Sequence, residues 1–311
     1  MKAYFTICSN NYLAYAATLG RSLGQHDTGT TFLLILCDEK HPDIDYSTVA
    51  DEVIPIKDIE PLINDLAAKY NIIELNTCIK PKAFQYLLQE RGFDTVIYLD
   101  PDIQVFDSLN NLDTALHEAN ILLTPHIYTP IPLDGKQPAE SVFLNFGLYN
   151  LGFLAVRAHD EVYRFLDWWK ERTYQQGYID VYNGIFVDQL PVNFVPLFFK
   201  GVHILQDPGL NMAPWNLHER TLTTQGMQQL VNNTHPLRFF HFSSFNIDKI
   251  ELPFARYNRY TLAQRPDLLF IYQEYARALQ NAGHEKYRTI ACVYDRKRSQ
   301  GSVFNKLMGR K

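Results

Sequence analysis

A chain of 311 residues with 46% hydrophobic and 20% charged residues has the make-up of an ordinary globular protein with a large core. It fits one large domain, or one domain with an appendage. A net charge of −5 gives no general affinity for nucleic acid, and no apolar run is long enough to span a bilayer.

Lys2 and the apolar residues after it give way to Ser9-Asn10-Asn11, which makes a poor signal peptide. The four cysteines, Cys8, Cys37, Cys78 and Cys292, are scattered, with neither zinc spacing nor a disulfide framework. They are expected to be reduced and mostly buried, which favours the cytoplasm.

Residues 2–8 read as a first strand, and Ser9-Asn10-Asn11-Tyr12 as a turn able to hydrogen-bond a planar ring. Leu13, Ala16, Ala17, Leu19 and Leu23 recur at helical spacing. Residues 31–37 form a second buried strand ending in Asp38, and this strand–helix–strand order begins a parallel βαβ layout. A short third strand is expected over 49–55. A helix follows over 76–92, with Ala83, Phe84, Leu87 and Leu88 on one face and Gly92 at its end. Lys80 and Lys82 near its start fit an exposed pair as well as cations that balance phosphate charge.

Residues 96–106, V-I-Y-L-D-P-D-I-Q-V-F, dominate the reading. Val96 to Leu99 suit a strand buried on both faces. Asp100 and Asp102 follow with Pro101 between them. Side chains two apart on extended backbone point the same way, and Pro101 keeps Asp100 out of helical conformation. Two acids at the C-terminal end of a buried strand sit where open α/β sheets bind ligands. Paired like charges invite a divalent cation, Mg²⁺ or Mn²⁺, shared with a ligand's phosphates. Asp-x-Asp also occurs in solvated turns; the buried run before it gives the metal reading its weight.

Next come a helix over 109–119 and a strand over 120–124. The segment 125–140, with Pro125, Pro130, Pro132 and Pro138, is too long for a simple connector and reads as a functional loop or lid. Gly147 and Gly152 bracket Tyr149-Asn150 before a buried strand over 153–156. Glycine in a strand setting marks close approach of a ligand or another backbone, and Asn150 offers both a donor and an acceptor there. Val162, Phe165, Leu166 and Trp169 mark an amphipathic helix. Asp188 and Gln189 follow a short apolar run, so they must be hydrogen-bonded or functional. Residues 194–205 are expected to be extended.

The turn-rich stretch 207–220 holds Asn211, Trp215, Asn216 and His218. They read either as a carbohydrate surface, with the ring on a sugar face and the amides on its hydroxyls, or as a structured loop. Strand 237–244 carries His241 between Phe240 and Phe242. Alone it reads as a core histidine; beside a two-Asp site it is a candidate third metal ligand. A helix over 266–281 starts at Pro266 and stops before Gly283. Residues 286–311 hold eight basic side chains and one acidic one, which is +7 and leaves −12 for residues 1–285. That tail fits a solvated terminus or contact with an anionic membrane or a partner.

The set Y-L-D-P-D-I at 98–103, I-K-P near 80, Y-N-L-G-F at 149–153, F-V-D-Q at 186–189 and H-F-S at 241–243 resembles GT-A fold nucleotide-sugar glycosyltransferases. It is similar to the glycogenin-like and lipopolysaccharide-galactosyltransferase group (family 8) and related bacterial glycosyltransferases, over roughly residues 2–280. The resemblance implies an α/β fold with a mixed, mainly parallel sheet flanked by helices, a catalytic domain over 1–284 and a helical basic appendage over 285–311. It implies a retaining enzyme that moves a sugar from a nucleoside diphosphate, UDP first among the candidates, to a glycan, lipid-linked or protein acceptor. Asp100, Asp102 and His241 would hold Mn²⁺ or Mg²⁺, with Asp100 also on the donor. Tyr12, with Asn10 or Asn11, would lie by the base, Lys80 by donor phosphate or sugar, and Asn150 and Gly152 beside the donor sugar. Asp188 and Gln189 would sit near the anomeric carbon.

Two other readings compete. A sugar nucleotidyltransferase would carry a Gly-rich basic loop near its N-terminus, which Cys8 to Tyr12 does not supply. A non-catalytic nucleotide-sugar or glycan-binding protein would share the binding residues without turnover.

Overall fold

The computed structural model describes residues 1–254 and 256–295. The strands of the described residues are, in chain order, β1 (Lys2–Cys8), β2 (Thr31–Leu36), β3 (Glu52–Pro55), β4 (Thr95–Leu99), β5 (Ile103–Val105), β6 (Ile121–Leu123), β7 (Phe153–Arg157), β8 (Ile179–Asp180), β9 (Ile185–Phe186), β10 (Val202–Ile204), β11 (Leu222–Gln225), β12 (Gln228–Val231), β13 (His235–Pro236) and β14 (Phe239–His241). Seven form the central sheet in the order β10-β6-β7-β4-β1-β2-β3. The pairings β1–β2, β2–β3, β1–β4 and β6–β10 are parallel, while β7 runs antiparallel to β4 and β6. The sheet is thus mixed and mainly parallel, as the family resemblance implies.

Alternation along the central strands feeds two cores. Tyr4, Ile97 and Leu99 pack on one face with the helices Leu13–His26 and Leu269–Asn281. Phe5, Ile7, Val96 and Tyr98 pack on the other with Phe165 and Trp169 of the helix Asp160–Gln176. This double burial explains the unbroken apolar runs of β2 and β4. The chain leaves β1 towards β2 on one side and returns as β4 on the other. The crevice beyond the C-terminal ends of β1 and β4 is therefore a topological switch point, where such sheets bind ligands.

The local readings need three corrections. The helix expected over 76–92 begins earlier, as Ile72–Cys78, and re-forms as Lys80–Gln85 followed by a π-turn Tyr86–Glu90. Asn71 and Glu74 build a capping box at the first start, and Pro81, which cannot continue a helix from behind, sits in the first turn of the second. The stretch 194–205 is not extended throughout: Pro196 lies in the first turn of the helix Val195–Phe198, and only Val202–Ile204 is a strand. The small sheet β11-β12-β13 is an addition that the alternation did not announce.

The long segment 125–140 is tied down. Tyr128 and Thr129 donate backbone N–H groups to the Glu219 carboxylate, and Arg259 pairs with Asp134 at 2.9 Å. It delivers the helix Glu140–Phe146 to the mouth of the crevice. Past helix Leu269–Asn281, a turn of helix at His284–Tyr287 buries Tyr287, and the Val293 N–H reaches Asp38 at 3.0 Å. Of the basic residues in 286–311, Lys286 and Arg288 are described, and Arg288 pairs with Asp248 at 3.0 Å; those from Arg296 onward lie outside the described residues. No helix among the described residues is long and apolar enough to cross a membrane.

Candidate active site

The crevice holds a cleft of about 520 Å³ lined by Asp100, Asp102, His241, Tyr12, Asn150 and Gln189 among others. At its floor, Asp100, Asp102 and His241 bring one ligand atom each to within 4.8 Å of one another. The two acids converge through a turn rather than by strand alternation. The Ile103 N–H donates to the Asp100 carbonyl at 3.1 Å, closing a β-turn with Pro101 in its second place. The histidine arrives by register: β14 pairs antiparallel with β5, with His241 opposite Ile103, and the Phe242 N–H donates to the Asp102 carbonyl at 2.8 Å.

His241 Nε2 lies 3.0 Å from Asp102 and 3.7 Å from Asp100. Burial alone would raise the Asp102 carboxyl, but the charge and hydrogen bond of His241 outweigh it and hold it below the usual range. Burial likewise pulls His241 down, and the charge of Asp102 more than offsets this, so its pKa stands above the ordinary 6.5. Gly152 keeps the hollow open. A Cβ there would fall 2.4 Å from His241 Cε1 and 2.8 Å from both Asp100 Oδ2 and Asn150 Oδ1. Two carboxylate oxygens and an imidazole nitrogen around a space this small fit Mn²⁺ or Mg²⁺.

One wall is a rigid amide array. Asn150 Oδ1 accepts from the Gly152 N–H at 3.1 Å and from Asn211 Nδ2 at 3.0 Å. Gln189 accepts from the Leu151 N–H at 3.0 Å and donates to the Phe146 carbonyl at 2.7 Å, so its amide cannot rotate. Asp188 turns the other way. It is buried against Lys80 at 2.7 Å, and Lys80 also donates to the Leu151 carbonyl at 2.9 Å and sits 4.2 Å above the Tyr98 ring. Burial pushes the Asp188 carboxyl up, and Lys80 offsets this only in part. Val187, just before it, has φ +38°, a left-handed conformation that costs a β-branched residue about 1–3 kcal/mol.

At the other end, Tyr12 stacks on Tyr15 with ring centroids 4.8 Å apart and keeps 45% of its surface exposed beside Asn11. Asn10 belongs to the framework: its side chain donates to the Glu39 carbonyl and accepts from Tyr46, and its N–H reaches Asp38. Among the acceptor candidates, only Trp215 lines the cleft, edge-on to His241 at 5.1 Å. Asn216 is spent on the Ala213 N–H and the His126 and Asn211 carbonyls, and His218 on Thr129. Asn211 supports Asn150 from behind.

Several groups of cleft residues escaped the sequence reading, Ile72, Ile73, Arg256 and Tyr257 among them. His126 and Phe143 arrive with the proline-rich segment, and Ile290 to Cys292 with the C-terminal segment. Tyr98 reads as core because it belongs to a strand buried on both faces, yet its hydroxyl donates to Asp100 Oδ1 at 2.5 Å. Only the i, i+2 spacing of Tyr98 and Asp100 could have signalled that.

His126 is buried between Phe143 and Trp215, takes part in a 3.2 Å contact with Asn150 Nδ2, and is pushed down to about 3 by burial. Its folded pKa lies below the unfolded value, so the unfolded chain gains the proton first and stability falls as pH drops below about 6.5. Between pH 6.5 and 5 that amounts to about 2 kcal/mol. His126→Gln should cost stability at pH 7 but flatten its acid dependence by about that amount, as read from urea unfolding at the two pH values. An unchanged slope would show that His126 is not the titrating group.

No family model matches the chain. YfnF of Bacillus subtilis strain 168, an uncharacterized protein, is 25% identical over 281 residues, which is 89% of this chain and 91% of YfnF. Among solved structures, the galactosyltransferase LgtC, in complex with donor and acceptor sugar analogs, superimposes with a TM-score of 0.52 at 15% identity, over 90% of this chain and 96% of that one. The glycosyltransferase GlyE of Streptococcus pneumoniae TIGR4 gives 0.50 at 16% identity, over 90% of this chain and 63% of GlyE. The likeness is one of architecture, and with the switch-point sheet described above it establishes that this chain has the GT-A glycosyltransferase fold.

Proposed function

We propose that this protein is a metal-dependent glycosyltransferase that moves a sugar from a nucleoside diphosphate to an acceptor hydroxyl, with retention of configuration. The observation that carries the reading is the convergence of Asp100, Asp102 and His241 at the floor of the switch-point cleft. A divalent ion held there supplies positive charge opposite a diphosphate leaving group. The chain's own residues do the rest. Tyr12 and Asn11 offer a ring and an amide to the nucleotide base. Asn150 and Gln189, fixed by their hydrogen bonds, orient the donor sugar and face the charge that develops at its anomeric carbon. Asp188 holds Lys80 behind this wall. Phe143 and Phe146 narrow the water's approach to the sugar.

The donor favoured is a UDP-sugar, and the acceptor a glycan, alone or on a lipid or protein. The basic residues of the tail support a place at the cytoplasmic face of an anionic membrane, where a lipid-linked acceptor would be met.

A thermal-shift screen of nucleoside diphosphates and sugar nucleotides tests the site. Ligand at about 100 times its Kd stabilises by about 2.7 kcal/mol. A midpoint rise for one base, present with Mn²⁺ and absent without it, is expected. Slow release of nucleoside diphosphate from the matching donor should accompany it and separates an enzyme from a binding protein. No rise with any nucleotide in Mn²⁺ would overturn the proposal.

A further inference from the structure

We propose that Tyr98 is a positioning residue that holds Asp100 in its metal-binding orientation; the inference rests on reading Asp100, Asp102 and His241 as a metal site. The two acids are secured differently. Asp102 has His241 at 3.0 Å, whereas Asp100 stands 3.7 Å from it, too far for a hydrogen bond. Its main chain is pinned by the N–H bond to the Gly152 carbonyl at 2.8 Å, but that leaves the carboxylate free to turn.

Tyr98 removes this freedom. Its hydroxyl donates to Oδ1 at 2.5 Å, a charge-assisted bond of the strong kind. Oδ2, the other oxygen, is the one that a Cβ at Gly152 would meet at 2.8 Å, so it faces the hollow shared with His241. The donor is itself immobile. The Tyr98 ring is 3% exposed, lies edge-on to Phe5 at 5.1 Å, and carries the Lys80 ammonium 4.2 Å from its centre. Asp100 thus presents one oxygen to the protein and one to the hollow, an arrangement that fixes a ligand's direction and raises affinity for the metal.

The hydroxyl is the separable part. Tyr98→Phe keeps the ring, its packing and its contact with Lys80, and removes only the donor to Asp100. The test is a titration of the whole protein with Mn²⁺ alone, followed by loss of the electron paramagnetic resonance signal of free Mn²⁺, alongside the unfolding midpoint without metal. Partners that orient metal ligands are typically worth 10–100-fold in affinity, so the variant should bind Mn²⁺ about 10–100-fold more weakly, with its metal-free midpoint lowered by no more than the few degrees that one lost hydrogen bond costs. Equal affinity in the two proteins would overturn the inference while leaving the metal site standing. A midpoint that falls much further than this along with affinity would also overturn it, because Tyr98 would then act through the fold. A wild type that binds no Mn²⁺, even with nucleotide present, would remove the metal reading itself and this inference with it.

Discussion

Asp102→Ala is expected to lower metal-dependent release of nucleoside diphosphate from a sugar nucleotide by about 10³-fold or more. Charge stabilisation of a leaving group by a bound ion is worth several kcal/mol, and about 4 kcal/mol corresponds to that factor. The loss should fall on chemistry and metal binding rather than on folding. Asp102 sits in a turn at the cleft floor with 23% of its side chain exposed, and its backbone carbonyl, which bonds the Phe242 N–H, is untouched by the change. What the variant loses in stability is the pair with His241. Asp102 is held below its ordinary pKa, so its contribution is present above the unfolded value near 3.8 and fades as pH falls through the folded one. His241 is held above 6.5, so its contribution is complete below 6.5 and fades as pH rises through the folded value. The gap in midpoint between metal-free wild type and variant should therefore be widest in mildly acid solution and narrow as pH rises through the folded value of His241. Wild-type turnover in the variant, measured across a Mn²⁺ titration, would sink the assignment of Asp102 to a metal.

The parts of this site legible in the sequence are those fixed by local pattern. The β4 run is apolar because both faces of the strand are buried, and that burial identified the acids after it. His241, which alone reads as a core histidine of an apolar strand, becomes a candidate ligand only beside the two-Asp site. What stayed hidden depends on long-range packing. The pair of acids was expected from strand alternation, yet it is Pro101 and a β-turn that aim them. Asn216 and His218 have the composition of a sugar surface, but Asn216 Nδ2 bonds the His126 carbonyl and His218 Nε2 lies against the Thr129 carbonyl, each about ninety positions earlier, which no spacing rule reveals. The helix at Val195–Phe198 is a single turn with Leu197 and Phe198 exposed, so its apolar run carries no helical stripe to read. Lys80 shows the same limit. Its spacing fits an exposed lysine or a phosphate contact, and the fold instead buries it, against the Asp188 carboxylate at 2.7 Å.

That difference makes Lys80→Met the more discriminating variant. Lys80 and Asp188 each expose only 3% of their side chains, at a separation of 2.7 Å. Removing one member of a buried pair strands the other charge and typically costs about 3–5 kcal/mol. In a domain of this size that lowers the midpoint by roughly 10 °C. Burial already raises the Asp188 carboxyl, and without Lys80 it rises further. A carboxyl with a raised folded pKa is stabilised in its protonated form, so the variant should recover stability as pH falls and lose it as pH rises. Asp188→Leu added to Lys80→Met should restore much of the loss, because neither charge is then left buried. The contrary outcome is equally definite. A Lys80 that serves mainly as a donor phosphate contact would give Lys80→Met an unchanged midpoint and a raised KM for the donor, with no rescue by the second substitution. Unfolding midpoints of the four proteins of this cycle, set beside their donor KM values, decide whether Lys80 first holds the wall that carries Gln189 or first meets the nucleotide.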